Sequence, residues 1–415
     1  MSKTDVLPKT SKRNLITVER TPAKITESTP VVNADLLQPQ KKAARVKTAS
    51  DRKRILLTGC NSLVGHQLFQ QMRNDDIMIK TGGKAHEFLG TLIQKDDGFV
   101  PMPSETIHVL NSKTAPKTFT KGVLTSDIIV IDLLSGTDQA EAECIIKLLR
   151  QPLHEQGGKQ QKLIVLSSVL SWLSTPKGDS DFSDSDFTKR VPNPRYQYLK
   201  NLENLAMTSA KINLNLKVHV VCSGLPFGNG EANDIFYEFF RRSWLSSHPE
   251  LAALPVIGSG QNCLPTIHVN DLAMCVRQLT EAAEPFQKQY LVAVDRCKQK
   301  KQCDIMQAIS STLGSGAIKH VKLQDVIHEE WVELLSLDLA ISTSPEFLEK
   351  SCEWHCADGI TSETMMMLNQ EFNHFRGLFP LKVFIGGPPV SSKTHFATKL
   401  AQAYGIPHLK IFDMI

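Results

Sequence analysis

The chain has 415 residues and a mass of 46.2 kDa, a length that suits two or three domains. Hydrophobic residues make up 41% and charged residues 22%, so most of it can bury a core and general disorder is excluded. No apolar run reaches the ~18 residues of a membrane span, and none follows Met1–Asp5, so neither a membrane protein nor a secretory signal is expected.

The charge of +4 is uneven: residues 1–50 hold 10 Lys/Arg and 4 Asp/Glu, net +6, which leaves 37 basic and 39 acidic residues, net −2, in the other 365. A near-neutral body lacks the basic face that binding nucleic acid needs. The first 50 residues are rich in Thr, Ser, Pro and Lys without an apolar period, and read as a disordered basic extension. The nine scattered cysteines fit free thiols in a reducing, cytoplasmic compartment.

Order begins at Arg54-Ile55-Leu56-Leu57-Thr58-Gly59, a short apolar run entering a turn. Leu63, Val64, Leu68 and Met72 follow at helical spacing. Further buried strands are expected at Ile128–Asp132, Leu163–Ser167, Val218–Val221 and Tyr290–Val294, with helices at Ala140–Arg150 and Leu199–Ile212 between them. Continuous apolar strands alternating with helices predict an α/β domain, a Rossmann-like doubly wound parallel sheet. Residues 76–126 resolve poorly by periodicity, and residues 174–195 read as a polar surface loop. The main domain is drawn over 51–360. A second unit, 361–415, opens with Met365, Leu368, Phe372 and Phe375 on one helix face, stopped at Gly377. The strand Val383-Phe384-Ile385, a glycine loop and a helix through Ala397, Leu400, Ala401 and Tyr404 follow.

Thr58-Gly59-Cys60-Asn61-Ser62-Leu63-Val64-Gly65 has the spacing of a dinucleotide phosphate turn, with Gly59 and Gly65 in place and Ser62 where the middle glycine stands. A Cβ at Ser62 is expected to crowd a pyrophosphate. No ribose-binding acid lies about 20 residues on, where Lys80 and Lys84 are candidates for a 2′-phosphate instead. Ser167-Ser168, Tyr196-x-x-x-Lys200, Gly224–Gly228 and Thr266–Ala273 follow in order. This series resembles the extended short-chain dehydrogenase/epimerase family over about residues 54–296. The resemblance implies an NAD(P) site and a proton relay of Ser168 (or Ser167), Tyr196 and Lys200. With the altered turn, a retained fold without that chemistry is the preferred expectation, and Tyr196 is equally readable as a first-turn packing residue.

Gly387-Pro388-Pro389-Val390-Ser391-Ser392-Lys393-Thr394 fits a phosphate loop except that Ser392 replaces a glycine. Gly387, Pro388, Ser391, Ser392, Lys393 and Thr394 are its nucleotide-binding candidates. Lys393 would reach the phosphates of ATP and Thr394 would hold Mg²⁺. If position 392 needs a positive φ, Ser carries about 1–3 kcal/mol of strain.

Ala253–Gly260 with Pro265–Val269, then Tyr290–Asp295, then Arg376–Val383 running into Gly387-Pro388-Pro389, resemble the ciliary and flagellar branch of the adenylate kinases. There a degenerate dehydrogenase-like domain precedes a phosphate-loop kinase domain. The resemblance implies exchange of phosphoryl groups among ATP, AMP and ADP, axonemal partners, a cilium or flagellum as setting, and neither a membrane nor a nucleic-acid partner. Ser392 and an end ahead of the family's AMP-binding and lid segments make this chain, as it stands, a non-catalytic module by expectation.

Of the remaining candidates, Cys352-Glu353-Trp354-His355-Cys356 reads as a packed helix in preference to a metal site, since a structural zinc wants four ligands. The Lys-rich run between Cys297 and Cys303 reads as a solvated loop, His268 as hydrogen-bonded structure, and Asp271 as a helix-starting residue.

Overall fold

The computed structural model describes residues 53–73, 86–93, 107–151, 159–178, 180–229, 235–246, 253–281, 286–297, 300–349, 353–379, 382–404 and 406–410. The extension 1–50, Lys80, Lys84 and Cys352 lie outside them. In chain order the main domain runs β1 (Arg54–Leu57), α1 (Leu63–Arg73), β2 (Glu87–Gly90), β3 (Ile107–Val109), α2 (Pro116–Thr125), β4 (Ile128–Asp132), α3 (Gln139–Arg150), β5 (Gln161–Ser168), α4 (Gln197–Ile212) and β6 (Leu216–Ser223). It continues through β7 (Leu225–Phe227), α5 (Ile235–Trp244), β8 (Ala253–Ile257), β9 (Thr266–His268), α6 (Val269–Glu281), β10 (Tyr290–Ala293), α7 (Gln302–Leu313) and β11 (Ala317–Val321). Short helices α8 (Val332–Leu335) and α9 (Pro345–Glu349), then α10 (Met365–Phe375) and α11 (Lys393–Tyr404), complete it.

Seven strands form one sheet in the order β10-β6-β5-β4-β1-β2-β3. Every pair in it is parallel, with Leu57 opposite Val130 on one side and Gly90 on the other. The chain builds outward from β1 and then returns to the other side of β1 with β4, so the order reverses between those two strands. Alternate residues of each strand point to opposite faces. Leu56, Ile129, Ile131, Leu163 and Val165 meet α2, α3 and α4, whereas Ile55, Leu57, Ile128, Val130 and Ile164 meet α1 and α6. Both faces are therefore dry, which is why these strands are apolar without interruption. The doubly wound reading is correct. The region 76–126 holds β2, β3 and α2, and the two strands are too short to declare themselves by periodicity.

Residues 174–195 are not a free surface loop. Arg190 is 2% exposed and Asp184 5%, and both are paired, Arg190 with Glu203 and Asp184 with Lys288. Nor is the Cys297–Cys303 segment merely solvated, because Lys300 is buried against Asp295.

Helix α10 buries Met365, Leu368 and Phe372 in the same core as the main domain. It ends as expected at Gly377, whose φ is +63°, where the N–H of Gly377 donates to His374 O and that of Leu378 to Asn373 O. The expected strand Val383–Ile385 is not formed among the described residues, where it has no ladder partner, and α11 buries no side chain. A strand forms only against a neighbour. No described helix is long and apolar enough to cross a membrane.

Candidate functional site

The strand-order reversal places a crevice beyond the carboxyl ends of β1 and β4, where folds of this type hold ligands. A cleft of about 390 Å³ opens there, lined by Gly59, Thr91–Ile93, Val109–Lys113, Gly136–Asp138 and Glu141. Gly59 turns the chain at φ +60°, and its N–H donates to Thr91 Oγ1 at 3.4 Å. Gly65 packs so closely that a Cβ would lie 2.2 Å from Gly59 O.

Ser62 does not crowd the cleft as expected. Its side chain turns inward, donating to Asp132 Oδ2 at 3.2 Å and accepting the Gly65 N–H at 2.8 Å. It thereby satisfies one of the orphan donors of α1. The buried Asp132 carboxyl is pushed up by desolvation. The end of β2 supplies Thr91-Leu92-Ile93 where a ribose-binding acid would stand, tied to the turn by Ile93 N–H donating to Asn61 Oδ1 at 2.8 Å and Asn61 Nδ2 to Ile93 O at 2.9 Å. The position expected from a 20-residue spacing was displaced because β2 begins only at Glu87. At the mouth, Lys113 pairs with Asp138 at 3.1 Å and Ser112 donates to Glu141 at 2.7 Å.

The dehydrogenase candidates each hydrogen-bond to other partners. The Tyr196 hydroxyl donates to Glu333 Oε2 at 3.1 Å, and Arg195 bonds the same oxygen at 2.8 Å. Burial, then the Glu333 charge, push the phenol up to about 12, the wrong direction for a proton relay. Lys200 Nζ donates to Arg190 O at 2.8 Å. Ser168 Oγ accepts the Leu170 N–H at 3.2 Å as a cap, and Ser167 donates to the buried Glu203. None of these four side chains lines the cleft beside Gly59, and their bonding does not fit a proton relay serving NAD(P). Glu333 and Glu203 carried no sequence signal, because each lies far along the chain from the motif or off its spacing.

Residues 387–394 make a tight turn into α11. Ser392 has φ +57° and Val390 φ +69°, both in the left-handed region that favours glycine. Ser392 thus bears the strain anticipated for it, and Val390, fully exposed, bears more because it is β-branched. Gly387 permits close approach of Ser391, whose Oγ would lie 2.9 Å from an added Cβ. Lys393 Nζ folds back to donate to Pro388 O at 2.6 Å, with Ser391 Oγ at 3.5 Å. Lys393 and Thr394 open α11, whose first turn contains no acid. A helix N-terminus with a lysine in a tight turn suits an anion, so these residues fit a phosphate group. With ATP bound, Lys393 would hold its terminal phosphates and Thr394 its Mg²⁺.

No protein-family model matches the chain. Mouse adenylate kinase 7 is 30% identical over 300 residues, which is 70% of this chain and 47% of that protein. Adenylate kinase 7 of Macaca fascicularis is 29% identical over 220 residues, 52% of this chain and 40% of that protein. The chain is an adenylate kinase 7 homologue. It spans less than half the length of these two relatives. The human epimerase family protein SDR39U1, solved with NADPH, superposes with a TM-score of 0.52 at 15% identity, covering 75% of this chain and 98% of that one. That likeness shows the fold: the adenylate kinase 7 homologue carries a dehydrogenase/epimerase-type Rossmann domain.

Proposed function

We propose that this chain joins a Rossmann-type module in a non-catalytic, scaffolding role to the phosphate loop of a nucleotide phosphotransferase. The reaction proposed for the whole protein is ATP + AMP to 2 ADP, and the setting is the cytoplasm of a cilium or flagellum, with axonemal proteins as partners. The observation that carries the reading is the commitment of Tyr196 to Glu333 and of Lys200 to the Arg190 carbonyl, while Lys393 keeps its place at a helix N-terminus. In-line transfer also needs an acceptor held against the donor and cationic groups around the moving phosphoryl. Among the described residues only Lys393 is bonded into the loop as a cation.

The test is ADP formation from ATP and AMP with Mg²⁺ by the 415-residue chain, together with ATP binding. No turnover is expected, and weak ATP binding that is lost in Lys393→Ala. Ser392→Gly should leave the ATP affinity within about two-fold, since Ser392 already holds its left-handed turn before any nucleotide binds. Tyr196→Phe should change nothing. Turnover abolished by Lys393→Ala would overturn the scaffold reading. The rival reading, an NAD(P)-dependent dehydrogenase/epimerase, rests on the persisting cleft beside Gly59. A rise in melting temperature with millimolar NADPH or NADH would favour it.

A further inference from the structure

Away from both nucleotide-type sites, three titratable side chains from distant segments meet. His268 ends β9 and is fully buried, His355 lies half-exposed in the connector 353–360, and Glu371 sits on α10 with little exposure. Glu371 Oε2 bonds His268 Nε2 at 2.9 Å and its Oε1 bonds His355 Nε2, and the two imidazole rings are 4.6 Å apart between centroids. The connector is an irregular loop where a helix was expected, and Asp271 holds it in shape: its two carboxylate oxygens accept the N–H groups of His355 and Cys356 at 2.6 and 2.9 Å. Asp271, an acid in the first turn of α6, therefore also serves the connector through its carboxylate.

Two histidines and a carboxylate could hold a divalent cation, and this is the one such grouping found among the described residues. The proton positions argue against it. His268 Nδ1 accepts the N–H of Asn270 at 3.1 Å, so the ring proton sits on Nε2 and points at Glu371. A metal on Nε2 would force that proton to Nδ1, facing N–H against N–H, whereas a ligating histidine donates from its other nitrogen. His268 is thus held as a donor to Glu371, and His355 is the solvent-exposed member of the cluster.

We propose that His268, Glu371 and His355 form a proton-operated clasp that holds α10 on the Rossmann module while His355 is protonated. Its position gives it leverage. Helix α10 is the last described helix to bury side chains, and the phosphate loop at Gly387–Thr394 follows it by a short exposed stretch. The groups facing His355 are Glu371 from α10 and Asp271 from α6, with the His268 ring 4.6 Å away between centroids. The Cys356 thiol and the buried Asp295–Lys300 pair lie behind the connector, and Arg296 covers its Trp354 at 5.0 Å. Two carboxylates thus surround the imidazolium.

The direction of titration agrees. The Glu371 hydrogen bond raises His355 above its ordinary 6.5. Burial pushes Glu371 up, but the bonds from His268 and His355 more than offset it and hold the carboxyl at about 2. A raised histidine contributes stability in full below its ordinary value and loses it as pH rises through the folded value. A depressed carboxyl contributes above its ordinary 4.5 and loses its share as pH falls through about 2. The clasp is therefore strongest between about pH 4.5 and 6.5 and loosens above that.

Amide hydrogen exchange of α10 and residues 376–379 in the full chain, corrected for intrinsic rate, tests this between pH 5.5 and 8.5. Wild type should lose protection several-fold across the range. His355→Gln should be equally loose at both ends, and so should Glu371→Gln, which keeps shape and polarity. Chelator or Zn²⁺ should change nothing. A pH step that persists in His355→Gln would overturn the proposal. So would Zn²⁺-dependent protection that His355→Gln removes, which would make the cluster a metal site.

Discussion

Glu203→Ala should destabilise the chain by about 3 to 5 kcal/mol, the cost of leaving a buried charge without its partner. Arg190 and Glu203 are 2% and 0% exposed at their side chains and are joined by two bonds, from Nε at 2.8 Å and Nη2 at 2.7 Å. Nη2 also donates to Asn204 Oδ1 at 3.2 Å and Nη1 to Phe187 O, so every edge of the guanidinium is engaged. Its flat face lies 5.2 Å from the Tyr290 ring centroid and 5.5 Å from that of Phe187. Removing the carboxylate strands a cation in an apolar interior from which the loop 184–190 must peel away to restore solvation. Replacing both residues by apolar ones of similar volume, Arg190→Met with Glu203→Leu, should cost far less, because neither charge then needs desolvating. Urea unfolding of the two single variants and the double variant measures this. A loss below about 1 kcal/mol in Glu203→Ala would mean that water reaches the pair and the loop is not anchored by it.

Gly65→Ala should cost at least about 3 kcal/mol, the upper end of overpacking effects. The added Cβ would lie 2.2 Å from Gly59 O and 2.9 Å from both Cys60 Cα and Gly59 C. All three are backbone atoms of the turn between β1 and α1, which the sheet and the helix hold from either side. No side chain can swing aside to make room. Gly136→Ala is the control, with φ +87° but open space around it, so it meets only the backbone preference, about 1 to 2 kcal/mol. Equal losses in the two variants, by the same urea unfolding, would show that the turn can spread and that the close approach is not a constraint of the fold.

The local rules of the chain determined a good deal without help. β1, β4, β5, β6 and β10 are readable because strands buried on both faces carry short unbroken apolar runs, a property visible within a few residues. The stop of α10 at Gly377 is readable because a left-handed terminal residue is a property of one position. The likeness to adenylate kinase 7 lay in contiguous stretches. Tertiary structure decided the rest, and in each case the deciding partner is remote. Tyr196 and Lys200 are four apart and could have met. Glu333, 137 residues on, takes the tyrosine, and the Arg190 carbonyl takes the lysine. Ser62 was expected to obstruct the cleft, but Asp132, brought alongside by the β1–β4 pairing, draws its side chain inward. The polar composition of residues 174–195 concealed Arg190, because a buried charge is recognisable only with its partner beside it. His268, His355 and Glu371 span 103 residues and share no motif. Periodicity reports which way a side chain faces within its own element, and the winding of the sheet decides what it meets there.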